Sequence, residues 1–177
     1  FFSTLYPASV GVMVAPLADR PWVDFLRLWR LLMLMGAGAA GVAGGLAAVR
    51  GPRAWLAAPL GGLVVMAGFP LLSQSLGLGQ ANLLIAGLVG LCMLGLSRGC
   101  GSLAGSAAAA GAALKLVPAL LFWPMLAGRR WRALASGALV GGALIAWTLS
   151  AVSLPVVLSG IEGTVRFQQG VFPDWMN

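Results

Sequence analysis

The stretch AWLAAPLGGLVVMAGFPLLSQSLGLGQANLLIAGLVGLCMLGLS, Ala54 to Ser97, carries no formal charge. It is too long for one helix, because a bilayer core is crossed by roughly 20 apolar residues. Two clusters interrupt it: Gly68-Phe-Pro70, and Ser73 to Gln80 with its glycines and amides. Glycine and proline mark breaks of this kind. The stretch therefore divides into one span at about 54–72 and a second at about 81–97.

The rest of the composition agrees. Of 177 residues, 60% are hydrophobic and 8% charged, against about 25% charged in a soluble domain. So few polar groups cannot cover a water-facing surface, and the bilayer must act as solvent. The net charge of +7 does not indicate nucleic acid, because the arginines flank apolar stretches instead of gathering on one face. The chain has no histidine, and its two cysteines, Cys92 and Cys100, read as small packing residues. No metal site and no cofactor is legible.

Working outward, spans are predicted at about 25–49 and 133–158, closed by the basic segments Arg50/Arg53 and Arg129/Arg130/Arg132. Basic loops favour the cytoplasmic side, which places Arg50/Arg53, Arg98 and the Arg129 cluster there. Arg20, Arg27 and Arg30 fall on the outer side and run against that rule. If Arg98 and Arg129 share a side, the chain between them must enter and return. Each arm is then about 13–16 residues, or roughly 20–24 Å of helix, short of a full crossing. A re-entrant pair of short helices over 100–128, meeting near Gly111 to Pro118, is the expectation. A single tilted span is the alternative, and it would put the Arg129 cluster outside. The predicted fold is all-α: one polytopic transmembrane helical bundle over 1–177, part of a longer chain. Small residues four apart (Gly41/Gly45, Gly101/Gly105, Gly137/Gly141) suit close helix packing in lipid.

Few residues can carry chemistry. Lys115 is the sole lysine, in the middle of an apolar stretch. An ammonium there costs about 2.5–3.5 kcal/mol unless it faces a cavity or an anion; the alternative is snorkelling to an interface. Pro118, one helical turn on, breaks the helix ladder. Gln80 and Asn82 could bind sugar hydroxyls, or Asn82 could cap a helix. Tyr6-Pro7 reads equally as an interfacial aromatic with a turn. Arg27 and Arg30, one turn apart, suit lipid phosphates or a phosphate-bearing ligand. Asp19, Asp24, Glu162 and Asp174 all lie outside the predicted spans and read as solvated loop charges.

Taken in order, these signals form a pattern: Tyr6-Pro7, then Gly79-Gln80-Ala81-Asn82-Leu83-Leu84, then Lys115-Leu-Val-Pro118 and Arg129-Arg-Trp-Arg132, then Phe172-Pro-Asp174-Trp-Met-Asn177. The pattern resembles glycosyltransferase family 87, within the C-type superfamily of membrane glycosyltransferases. The resemblance implies a multi-span helical enzyme that takes a hexose, often mannose, from a polyprenyl-phosphate sugar donor. It implies transfer to a glycolipid or glycan acceptor on the outer face of a membrane, here a bacterial plasma membrane. The leaving lipid phosphate gains charge in such a transfer, so Lys115, helped by Arg27 or Arg30, is expected to meet the donor phosphate. Gln80, Asn82 and Tyr6 would border the sugar or acceptor pocket. The family's catalytic acid lies in the first outer loop, which is expected before Phe1; Asp19 and Asp24 follow the Tyr-Pro element and do not match it. A transporter or flippase-like carrier and a non-catalytic membrane scaffold are the other classes compatible with the residues.

Overall fold

Pro21 starts the first helix. Its carbonyl accepts the backbone N–H groups of Asp24 and Phe25 at 2.9 and 3.1 Å, and Asp24 sits in the first turn, where the helix dipole favours an anion. The computed structural model describes residues 21–49, 51, 56–61, 81–152, 154, 155 and 158. Tyr6, Gln80, the expected break at 68–80 and most of the expected span 54–72 lie outside them.

Among the described residues every regular element is a helix. They are α1 (Trp22–Ala48), α2 (Asn82–Ser97), α3 (Gly101–Leu114), a 3-10 turn (Val117–Leu121), α4 (Phe122–Ala127) and α5 (Trp131–Ala151). Two of these are long and apolar enough to cross a bilayer: Val23–Ala48, within α1, and α5. Only 28% and 17% of their most apolar windows are buried. A helix in the core of a soluble protein buries such a face, whereas here Leu139 is 73% exposed and Ile145 62% exposed. The sequence placed the last span at 133–158; α5 begins two residues earlier and ends at Ala151.

Close backbone contacts set the helix directions. A Cβ added at Gly36 would lie 2.6 Å from the Leu83 carbonyl oxygen, and one at Gly87 would lie 2.6 Å from that of Gly36. Gly90 faces Ala40 in the same way. Rising numbers on α1 thus meet rising numbers on α2, and the two helices run parallel. Residues 56–61 are helical and run the other way, with Gly61 against Gly41 and Ala57 against Gly45. α3 returns antiparallel to α2, since Gly95 abuts Ala104 while Gly111 approaches Leu88. α5 runs parallel to α3, with Gly105 against the Ala133 carbonyl and Ala109 near Gly141. Such approaches bring helix backbones together through small residues, as packing in lipid requires. The Ser136 hydroxyl sits on the same seam, 3.1 Å from both the Ser102 and the Ala133 carbonyl oxygens.

Two clusters fill the bundle. Phe25, Trp29, Met33 and Ala37 pack on Ala81 and Leu83 at one end. Cys92, Ala104, Ala107, Ala108, Met125 and Ala133 form the second. Met125, fully buried, ties α4 to α2, α3 and α5. Between α3 and α5 the chain therefore goes up through α3 and comes back through the 3-10 turn and α4. Both cysteines are free, Cys92 buried and Cys100 exposed.

Candidate active site at the Lys115 corner

α3 stops at Leu114 because Lys115 leaves the helical region for extended backbone, with φ −157° and ψ 137°. Its N–H still reaches the Gly111 carbonyl at 2.9 Å. Three residues later Pro118 occupies the start of the 3-10 turn, where a missing N–H costs least. Pro118 is buried against Gly111, where an added Cβ would lie 3.1 Å from the Pro118 Cβ. A side chain at residue 111 would crowd Pro118, so glycine there gives the return segment room to lie against α3.

The break projects Lys115 to the end of the bundle where α2 begins. Its exposed ammonium donates to the Asn82 side-chain oxygen at 3.4 Å, a contact that spans 33 positions of sequence. Asn82 is the first residue of α2, whose N-cap, Ala81, makes no side-chain capping bond. The corner therefore combines an ammonium with the positive end of the α2 dipole, and both favour an anion. The negative end of α3 opposes them, and the ammonium at its last turn offsets it. An ammonium has three donors, so the Asn82 contact leaves capacity for a ligand. Asn82 does not act as the N-cap that the sequence allowed; its side chain instead meets Lys115.

The corner is recessed. Measured along α2 and α3 it lies about 21–24 Å from the Arg98 end, whereas the 27 residues of α1 extend about 40 Å. Arg27 and Arg30 stand on the first turns of α1, at the same end but further out, and both are exposed. The buried side of α1 carries Phe25, Trp29 and Met33. Arg27 lies nearly opposite that side and pairs with Asp24 at 3.4 Å. The structure thus brings Lys115 and Asn82 together and keeps Arg27 on a different face of α1. Among the described residues Asp24 is the single carboxylate, and no group of residues able to hold a metal ion is present.

The opposite end is built differently. Arg98 donates to the Leu46 and Val49 carbonyls at 2.8 and 3.3 Å, covering the exposed C-terminus of α1. Read locally, Arg98 has only a topological role. Its capping contact depends on α1 and α2 being parallel, which no local pattern shows. The α4–α5 turn falls where the basic segment was expected to separate 100–128 from 133–158, but its geometry was not foreseen: Arg129 takes the left-handed conformation, φ 51°, although Gly128 stands beside it.

With helical elements throughout the described residues and two helices of membrane length, the chain reads as a membrane protein. The sequence model of glycosyltransferase family 87 matches residues 4–176, nearly the whole chain, and the chain belongs to that family of membrane glycosyltransferases. No curated protein and no solved structure matches it.

Proposed function

We propose that the protein transfers a hexose, specifically mannose, from a polyprenyl-phosphate donor to a glycolipid or glycan acceptor. The reaction takes place at the outer face of a bacterial plasma membrane. The contact between Lys115 and Asn82 carries this reading, because it joins the family's two most specific sequence elements at one recessed cationic corner. In the proposed step the acceptor hydroxyl attacks the anomeric carbon. The bond from that carbon to the phosphate oxygen breaks, and the leaving lipid phosphate keeps the electron pair. A carboxylate outside this corner takes the hydroxyl proton. Lys115 meets the charge that grows on the phosphate. Asn82 holds the ammonium in place and, with Gln80 and Tyr6, borders the sugar. Arg30, further out on α1, meets the phosphate as the donor arrives, whereas Arg27, on the opposite face and paired with Asp24, is left out of this step.

In this reading residues 101–127 are a re-entrant pair within a multi-span bundle, with Lys115 at its tip. Irregular backbone at membrane depth is tolerated where it is buried or lines a wet cavity. The short reach of α3 and the return through α4 support it.

The test is turnover of a polyprenyl-phosphate sugar by the purified full-length enzyme. Removing one donor to a developing anion costs about 10²–10³-fold in turnover. Lys115→Ala should show that loss, and Lys115→Arg should recover part of it. Unchanged turnover in Lys115→Ala would remove Lys115 from the reaction. Single cysteines at positions 115 and 129 in a Cys-free protein test the topology. A membrane-impermeant thiol reagent should reach 115 from outside and 129 from inside. Labelling of both from opposite sides to those would overturn the orientation, and labelling of 129 from outside alone would make this segment a crossing helix.

A further inference from the structure

The α2–α3 turn and the α4–α5 turn stand side by side at the end of the bundle opposite Lys115. Between them lies a cavity of about 390 Å³, walled by Gly95, Gly99 and Gly101 on one side and by Arg129 to Ala133 on the other. Three of its lining residues are arginines: Arg129, Arg130 and Arg132. Among the described residues the one carboxylate, Asp24, is at the other end of α1. Among the described residues, then, no carboxylate neutralises the three guanidinium groups, which favour an anion.

The backbone adds a second observation. Gly99 and Arg129 occupy equivalent places in the two turns. Cys100 N–H reaches the Gly95 carbonyl at 2.8 Å, as Arg130 N–H reaches that of Met125 at 2.8 Å. Gly99 N–H reaches Leu96, and Arg129 N–H reaches Leu126. This is the Schellman arrangement, whose left-handed residue is usually glycine. Gly99 has φ 72° and Arg129 has φ 51°. An arginine in that conformation is strained, and strain of this kind collects at ligand sites. Here it fixes a cation at the cavity rim.

Size and surroundings select the ligand. A volume of 390 Å³ equals that of about a dozen waters, enough for a phosphate with its glycerol. Trp131, 64% exposed, stands among the arginines as an interfacial aromatic does. From there α5 runs on as an exposed apolar helix, with Leu139 73% exposed, along which acyl chains can lie. Basic pockets between membrane helices take anionic headgroups. We infer that this cavity binds the phosphate headgroup of an anionic phospholipid in the leaflet at that end. The site is separate from the Lys115 corner and does not depend on the proposed reaction.

The test uses purified full-length protein, delipidated in a neutral detergent. Phosphatidylglycerol and phosphatidylcholine with the same acyl chains are titrated separately, and retained lipid is counted by native mass spectrometry. Phosphatidylglycerol should bind about tenfold or more tightly than phosphatidylcholine. R129G/R130Q/R132Q should abolish that preference. Arg129→Gly keeps the turn geometry and, alone, should reduce it; R130Q and R132Q alone should each reduce it too, which decides the matter if the triple variant does not fold. Equal affinity for the two lipids, or an undiminished preference in the variants, overturns the inference. Displacement of phosphatidylglycerol by millimolar inorganic phosphate would assign the cavity to a soluble anion instead.

Discussion

The two ends of this bundle reverse the chain in different ways. At the arginine end two of the chain's turns are described, one through Gly99 and one through Arg129. Both turns recover helix carbonyls with backbone N–H groups. At the other end the described turn runs through an extended lysine followed by a 3-10 turn, and no side chain caps α3. The first kind of turn completes the fold. The second holds a cation against the start of another helix, where the proposed reaction would use it. The comparison separates residues whose loss should cost stability from one whose loss should cost chemistry.

Both ends depend on the shared seam, so the seam gives the largest effect. A side chain at Gly105 would run into the Ala133 carbonyl and the Ser136 hydroxyl. Backbone cannot yield as a flexible side chain can, and overpacking costs about 1–3 kcal/mol or more even where it can. Gly105→Leu should abolish the cooperative thermal transition in detergent. Gly142 has nothing within 4 Å of an added Cβ, so Gly142→Ala should be neutral or stabilising by up to about 1 kcal/mol. Equal tolerance at both positions would mean that α3 and α5 do not pack as described.

The next pair sets the two ends against each other. Arg98→Ala removes two hydrogen bonds to carbonyls of α1. The site is exposed, so the loss should be about 1 kcal/mol, with turnover kept. Lys115→Met should do the opposite: the melting temperature should hold while turnover falls by about 10²–10³-fold. If Lys115→Met melted early and Arg98→Ala lost activity, the division of labour would be reversed.

Much of this was readable along the chain, but not the partners. A junction near Gly111 to Pro118 follows from a lone lysine and a proline three residues on, and α3 does end within that stretch, at Leu114. The glycines four apart predicted close helix approaches, and Gly45, Gly101 and Gly105 each make one. The sequence could not show that Asn82 would meet Lys115. That contact requires α2 and α3 to pack antiparallel in one register, which Gly95 sets against Ala104 beside the turn and Gly111 sets against Leu88 far from it in sequence. It equally gave no sign that Arg129, not Gly128, would be the left-handed residue. Glycine is the low-cost choice at such a position, and local preference therefore points to its neighbour.

The cysteines offer a probe of the arginine end without mutation. Cys100, in the turn, has its thiol pKa lowered, first by the Leu103 backbone N–H and then by the Ser102 hydroxyl. A lowered pKa means that the reactive thiolate appears at a lower pH than for an ordinary thiol. Alkylation of Cys100 should rise at that lower pH, and Cys92, buried in α2, should stay unmodified in folded protein. Ser102→Ala should move the Cys100 profile back up by part of the shift. Equal labelling of both thiols would place the α2–α3 turn elsewhere.

The smallest effect bears most directly on the comparison between Gly99 and Arg129. A non-glycine residue in the left-handed region costs roughly 1 kcal/mol. Arg129→Gly should therefore raise stability by up to about that amount in neutral detergent, while Gly99→Ala should lower it by a similar amount. The sign at position 129 should depend on the lipid. If the arginine is kept in a strained conformation to hold an anionic headgroup, phosphatidylglycerol should stabilise the parent protein more than the Arg129→Gly variant, because a ligand stabilises only the form that binds it. The gap between the two should then narrow or reverse as the lipid is added. A constant gap at every lipid concentration would mean that the strain at Arg129 serves the turn alone and that the two turns differ in sequence without differing in role.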